Sequence, residues 1–202
     1  MDKLIDDLIK LAFAEDIGDG DHTTLCCIPE TAMGKSQLII KEDGVLAGVE
    51  MAKRIFHDFD PELKMTVFIQ DGAEVKKGDI AFVVEGKIQS LLQTERLMLN
   101  VMQRMSGIAT TTRKYAKALE GTKTHVLDTR KTTPGMRMIE KEAVRIGGGM
   151  NHRIGLFDMI LLKDNHVDFA GGIEQAITRA QNYLKEKDRK STRLNSSHHS
   201  IS

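Results

Sequence analysis

The chain has no tryptophan, only two tyrosines and three prolines, and just two cysteines in 202 residues. With 4% aromatics it has no platform on which nucleobases could stack, and eleven methionines point instead to an aliphatic, Met-filled core. Cys26 and Cys27 are adjacent, so no disulfide framework is available, and their spacing is not that of a metal site. With no signal peptide in view, the chain is expected to be cytoplasmic and reduced. An excess of one charge is missing as well. Lys and Arg number 29 against 29 Asp and Glu, and the pI is near 7.1, which argues against a nucleic-acid backbone as the main partner. No uncharged apolar run reaches the roughly 18 residues of a membrane helix. What is present is 41% hydrophobic content, enough for one good-sized core or two small ones.

The pattern divides the chain into three parts. Residues 1–107 read as a small α+β domain. It starts with an amphipathic helix carrying Leu4, Ile5, Leu8, Ile9, Leu11 and Ala12 on one face. Strands are expected at Gln37 to Lys41, Lys64 to Gln70 and Ile80 to Glu85, with turns at Asp71-Gly72 and Gly78-Asp79. Two helices, Ser90 to Met105 and Ile108 to Glu120, are expected to hinge at Ser106-Gly107. Residues 108–188 then alternate strand and helix: a strand at Thr124 to Leu127, a helix from Arg137 to Arg145, a strand at Asp158 to Leu162, and a helix over Ile173 to Lys187. Apolar strands separated by helices indicate a parallel sheet or barrel, and two βα units are far short of the eight that close one. The expected class is therefore α/β, an N-terminal α+β sandwich-like domain followed by an incomplete α/β barrel. Residues 189–202 break the pattern, with five serines and two apolar residues in fourteen. They read as a non-native tail in place of the natural continuation, with a disordered natural tail as the alternative. The tail holds three of the cations and no acidic residue, so the preceding part carries about −3.

Both expected strands end in charged groups, at the carboxyl edge where open sheets and barrels build their sites. Arg130, Lys131 and Lys163, with His152 and Arg153 from the loop between, would make a pocket of positive potential suited to a small ligand with several acidic groups. The competing reading is that these cations cap helices or pair with Asp128 and Asp164. His152 and Arg153 precede their expected strand, so they reach that edge only if the Gly147 to Gly149 loop folds back. That loop matches no phosphate-binding motif and reads as a plain connection. Asp16, Asp19 and Asp21 lack the spacing of a calcium loop and read as a turn with His22 and Thr23. Asp71 to Asp79 likewise reads as a turn. Cys26 and Cys27 read as packing, His57 and His125 as ordinary residues, and Met98, Met102 and Met105 as core or subunit contact. No metal-ligand set is identifiable.

In order along the chain stand Glu95-Arg96, Leu99-Asn100, Ser106-Gly107-Ile108-Ala109-Thr110, Asp128-Thr129-Arg130-Lys131-Thr132-Thr133-Pro134-Gly135, Gly147-Gly148-Gly149-Met150-Asn151-His152-Arg153 and Leu162-Lys163-Asp164-Asn165-His166. Together they resemble the quinolinate phosphoribosyltransferases, from the first helix to about Lys187. The resemblance implies transfer of phosphoribose from phosphoribosyl pyrophosphate to quinolinate with Mg²⁺, releasing pyrophosphate and carbon dioxide and giving nicotinate mononucleotide for NAD synthesis. It further implies Arg130, His152, Arg153 and Lys163 as ligands of the quinolinate carboxylates and Lys131 as a catalytic lysine facing both substrates. Arg96 would be lent from the partner subunit of a homodimer or higher oligomer. The acidic residues and glycine-rich loops that would serve metal and sugar phosphate have no counterpart here, so the chain as written is expected to be inactive. Two alternatives remain: a relative associated with molybdenum transport, and a non-catalytic dicarboxylate-binding fragment.

Overall fold

A computed structural model describes residues 2–186, so the tail from Arg189 lies outside the described residues. The chain divides into two compact units, Met1–His152 and Arg153–Ser202.

In the first unit, helix α1 (Asp2–Ile17) and the short α2 (His22–Cys27) precede strand β1 (Met33–Ile39) and β2 (Gly44–Val45). Helix α3 (Val49–Phe59), β3 (Lys64–Val67), β4 (Glu74–Val75) and β5 (Ile80–Lys87) follow. β5 is the centre of a three-stranded antiparallel sheet ordered β1-β5-β3, and β2 pairs with β4. Ala81, Phe82, Val83 and Val84 are all buried, so the central strand is covered on both faces and reads as a continuous apolar run. The Asp71 turn caps α3, since its carboxylate accepts the Val49 and Glu50 N–H groups at 2.8 and 3.3 Å. Asp21 caps α2 in the same way through the Thr24 N–H at 3.1 Å, and bonding to Thr24 holds its carboxyl below the usual value.

The two helices expected to hinge at Ser106-Gly107 are one, α4 (Ile88–Ala118), 31 residues or about 46 Å long. A single apolar stripe explains this. Leu91, Met98, Val101, Met102, Met105 and Ala109 are buried at helical spacing across the supposed hinge, so the three methionines are core. Gly107 falls on the exposed side, where a glycine costs about 1 kcal/mol in propensity but no packing. Ser106 is tied to the chain just beyond β2: its hydroxyl accepts the Ala47 N–H at 3.0 Å and donates to the Ala47 carbonyl at 3.1 Å.

Helix α5 (Arg137–Ile146) packs on α4. The strand expected at Thr124 to Leu127 is reduced to one parallel bridge, Leu127 to Met150. Met150 donates to the Val126 carbonyl at 2.8 Å and accepts from the Asp128 N–H at 3.1 Å. With α5 between its two strands, this is a βαβ unit of the shortest kind, the parallel beginning that the α/β class requires.

In the second unit the run Asp158 to Leu162, expected as a strand, forms none. Asp158 instead accepts the Ile154 and Gly155 N–H groups, each at 2.8 Å, and folds the segment on itself. Lys163 ends this loop and starts helix α6 (Asp164–Ala170), which packs on α7 (Ile173–Glu186).

Candidate functional site

The parallel bridge answers how His152 reaches the carboxyl edge. Residues 150–152 run alongside 126–128 in the same direction, so Asp128, Arg130, Lys131 and His152 leave the pair at the same end. The fold-back comes from α5 and its glycine-rich exit. A Cβ on Gly147 would stand 2.5 Å from the Ala109 carbonyl oxygen and 2.7 Å from Thr112 Cβ. One on Gly149 would meet Val144 Cγ1 at 2.7 Å. These glycines let the end of α5 sit directly against α4; they form a close-packed joint where a plain connection was expected.

Helices α4 and α5 hold the edge loop from below. Arg137 donates to Thr132 Oγ1 at 3.1 Å and to the Arg130 carbonyl at 3.4 Å. Arg104 donates to Thr133 Oγ1 and pairs with Glu140, both at 2.5 Å. Glu140 is 7% exposed and also accepts the Thr133 N–H at 3.3 Å. Between the helix and the bridge lies an ion pair, Lys141 Nζ to Asp128 Oδ1 at 2.5 Å, with side chains 2% and 6% exposed. Removing either partner leaves a buried charge uncompensated, which typically costs about 3 to 5 kcal/mol.

The six expected site residues fall into groups. Arg130, Lys131 and His152 stand at the bridge's end in the first unit. Lys131 is exposed, and the Arg130 Nε is buried with no hydrogen-bond partner among the described residues. An orphaned guanidinium nitrogen at a carboxyl edge suits an incoming anion. Asp128 does not pair with these cations, as the competing reading had it; Lys141 takes it, which leaves Arg130 and Lys131 for other partners. Arg153 and Lys163 belong to the second unit. Arg153 is 7% exposed and donates to the Met159 carbonyl at 3.4 Å. Lys163 is exposed at the start of α6, its N–H donating to His166 Nδ1 at 3.0 Å. Arg96 lies exposed on α4, about 12 Å along the axis from Arg104, and it is Arg104 that joins α4 to the edge loop.

Arg104, Arg137, Glu140 and Lys141 were not singled out from sequence. A signal existed for Glu140, which stands four residues after Met136 and three before Ala143, on the apolar face of α5. A cleft of about 510 Å³ between α4 and the 126–128 segment is lined by Arg104, Thr111, Tyr115, Leu127 and Asp128 among others. Arg130, Lys131 and His152 do not line it. Among the described residues no group of three or more His, Cys, Asp or Glu stands together as a candidate metal site.

Comparison with known proteins adds independent findings. A family model described as quinolinate phosphoribosyl transferase, N-terminal domain, matches residues 21–106, and one for the C-terminal domain of the same enzymes matches 108–194. A Nicotiana glauca protein named quinolinate phosphoribosyltransferase [decarboxylating] 1 is 47% identical over 180 residues, 89% of this chain and 51% of that protein. A Synechocystis protein named probable nicotinate-nucleotide pyrophosphorylase [carboxylating] is 43% identical over 174 residues, 86% of this chain and 59% of its own. The crystal structure of NadC from Streptococcus pyogenes superposes with a TM-score of 0.85 at 41% identity, covering 91% of this chain and 65% of that one. The chain spans about half the length of the curated relatives it matches. Among the described residues no helix is long and apolar enough to cross a membrane.

Proposed function

Because the chain belongs to the quinolinate phosphoribosyltransferase family, we propose that its site serves the transfer of phosphoribose from phosphoribosyl pyrophosphate to quinolinate, with decarboxylation to nicotinate mononucleotide. The observation that carries this reading is the edge at the end of the 127–150 bridge, where the Arg130 and Lys131 cations and His152 leave together, with Asp128 neutralised from behind by Lys141.

In this reading Arg130 and His152, at the bridge's end in the first unit, bind carboxylate oxygens of quinolinate. Arg130 offers its unpartnered Nε and fork of donors, which grip a carboxylate in two parallel hydrogen bonds. Lys131, exposed at the edge, is in this reading the catalytic lysine that faces both substrates. The ring nitrogen attacks the anomeric carbon of the sugar as the bond to pyrophosphate breaks, and holding the two in line supplies much of the acceleration. The new pyridinium then draws in the electron pair left when the adjacent carboxylate departs as carbon dioxide, and a proton replaces it. Cations that hold this carboxylate in the ground state keep it in place until the ring carries positive charge. Mg²⁺ belongs to the proposal for the whole enzyme. Arg96, exposed on α4, is free to reach a neighbouring subunit, so the proposal includes a homodimer or higher oligomer with shared sites. The proposal includes a cytoplasmic, reducing setting, in which the exposed Cys26 and Cys27 remain thiols, their sulfurs in hydrogen-bond contact at 3.5 Å.

Calorimetric titration of quinolinate tests the reading. Arg130→Ala is expected to lose about 2 to 5 kcal/mol of binding while its circular dichroism stays unchanged. Affinity equal to that of the unaltered chain, or no binding by either, overturns the assignment. Quinolinate binding with no pyrophosphate released from phosphoribosyl pyrophosphate would favour the dicarboxylate-binding alternative.

A further inference from the structure

The backbone ladder between 126–128 and 150–152 stops early, and side chains finish it. After Met150 has bonded Val126 and Asp128, a parallel pair would next join the His152 N–H to the Asp128 carbonyl and the Arg130 N–H to the His152 carbonyl. Neither bond forms. The His152 N–H donates instead to the Asp128 carboxylate, Oδ1, at 2.8 Å. The His152 carbonyl accepts from Lys141 Nζ at 3.3 Å. Asn151, with its amide turned so that nitrogen faces acceptors, donates to Asp128 Oδ2 at 2.8 Å and to the Lys141 carbonyl at 2.9 Å. One buried carboxylate and one buried ammonium thus stand in for the missing rung, paired with each other and with the backbone around them.

We propose that Asp128 and Lys141 are positioning residues: a buried clamp that fixes His152 at the edge while releasing the Arg130-Lys131 bend from the sheet to meet the ligand. A true backbone rung would have held Arg130 flat in the ladder. The side-chain substitute lets one strand continue and the other turn away, which is what a pocket at a strand end needs. The inference rests on the functional reading above for its ligand, and on hydrogen bonds alone for the clamp.

Amide hydrogen exchange and quinolinate titration on the full 202-residue chain test the two parts separately. In Lys141→Met the amides of Met150 and His152 are expected to exchange about tenfold faster or more, while Val84 in β5 and Val101 in α4 keep their rates. Uniform acceleration would make the pair a general stabilising element, and no change would remove the clamp; either overturns the proposal. Should the unpaired Asp128 charge unfold that variant, Asp128→Asn with Lys141→Met removes both charges at nearly constant shape, and the same local acceleration is expected. In this double variant quinolinate affinity is expected to fall on the order of tenfold. Affinity within about twofold of the unaltered chain overturns the positioning role. If the unaltered chain shows no response to quinolinate, the functional reading fails, and exchange alone then judges the clamp.

Discussion

Asp60 ends α3, and its carboxylate accepts a 2.6 Å hydrogen bond from the Ser90 hydroxyl in the first turn of α4 and a 3.0 Å bond from the Glu62 N–H. The Ser90 bond is the main reason that its carboxyl lies below the ordinary 3.8, outweighing the effect of burial; the Glu62 bond and the Lys87 charge add to it. A carboxylate whose pKa falls on folding contributes stability above its unfolded value, and that contribution is lost as pH drops through the folded value. Ser90→Ala is therefore expected to cost about 1.5 to 3 kcal/mol at neutral pH, the usual worth of a hydrogen bond to a charged group. Urea unfolding checks it: the gap between variant and parent should shrink once pH falls below the ordinary carboxylate value. A gap that persists unchanged in acid would mean that Ser90 matters through packing alone.

At the scale of elements, α4 organises the first unit, and two glycines, one within it and one packed against it, behave oppositely. Gly107 lies on its exposed side, and a methyl group added there would meet no atom within 4 Å, so Gly107→Ala should raise stability by about 0.5 to 1 kcal/mol through helix propensity. Gly147 closes α5 where a methyl would meet the Ala109 carbonyl oxygen at 2.5 Å. Backbone cannot swing aside like the end of a flexible side chain, so Gly147→Ala should cost about 1 to 3 kcal/mol. Thermal midpoints moving in opposite directions would support one unbroken helix with α5 docked closely on it. A loss at Gly107 would argue for the hinge that the local sequence suggests.

For the whole molecule, burial is distributed unevenly. The first unit holds a continuous core from Ile9 to Ala143, whereas beyond Arg153 Ala176 is the single buried hydrophobic residue among those described. Helix α6 buries nothing, and Phe169 and Ile173 are 90% and 66% exposed. Local stability follows buried apolar contact, so amides of α6 and α7 should exchange about a hundredfold faster or more than those of β5 and α4. Equal protection across both units would show that the second is held by more than its own two helices.

Much of this was legible without coordinates, because it depends on residues near one another in the chain. The first helix, the strands around Lys64 and Ile80, the helix from Arg137 and the final helix follow from hydrophobic period and turn chemistry. The candidate cations stand in contiguous motifs, which is why resemblance could be recognised in them. Other features depend on partners distant in sequence. Whether Ser106-Gly107 bends or continues was decided by the apolar stripe of α4 meeting β2 and α3. Whether Asp158 to Leu162 pairs as a strand depends on a neighbour that its own residues cannot supply. The strongest case is Lys141, an unremarkable lysine in an amphipathic helix whose ammonium is 2% exposed against Asp128, 13 residues upstream. Local periodicity records which face of α5 is buried, but the carboxylate that makes a buried charge tolerable there comes into reach only when the βαβ unit closes.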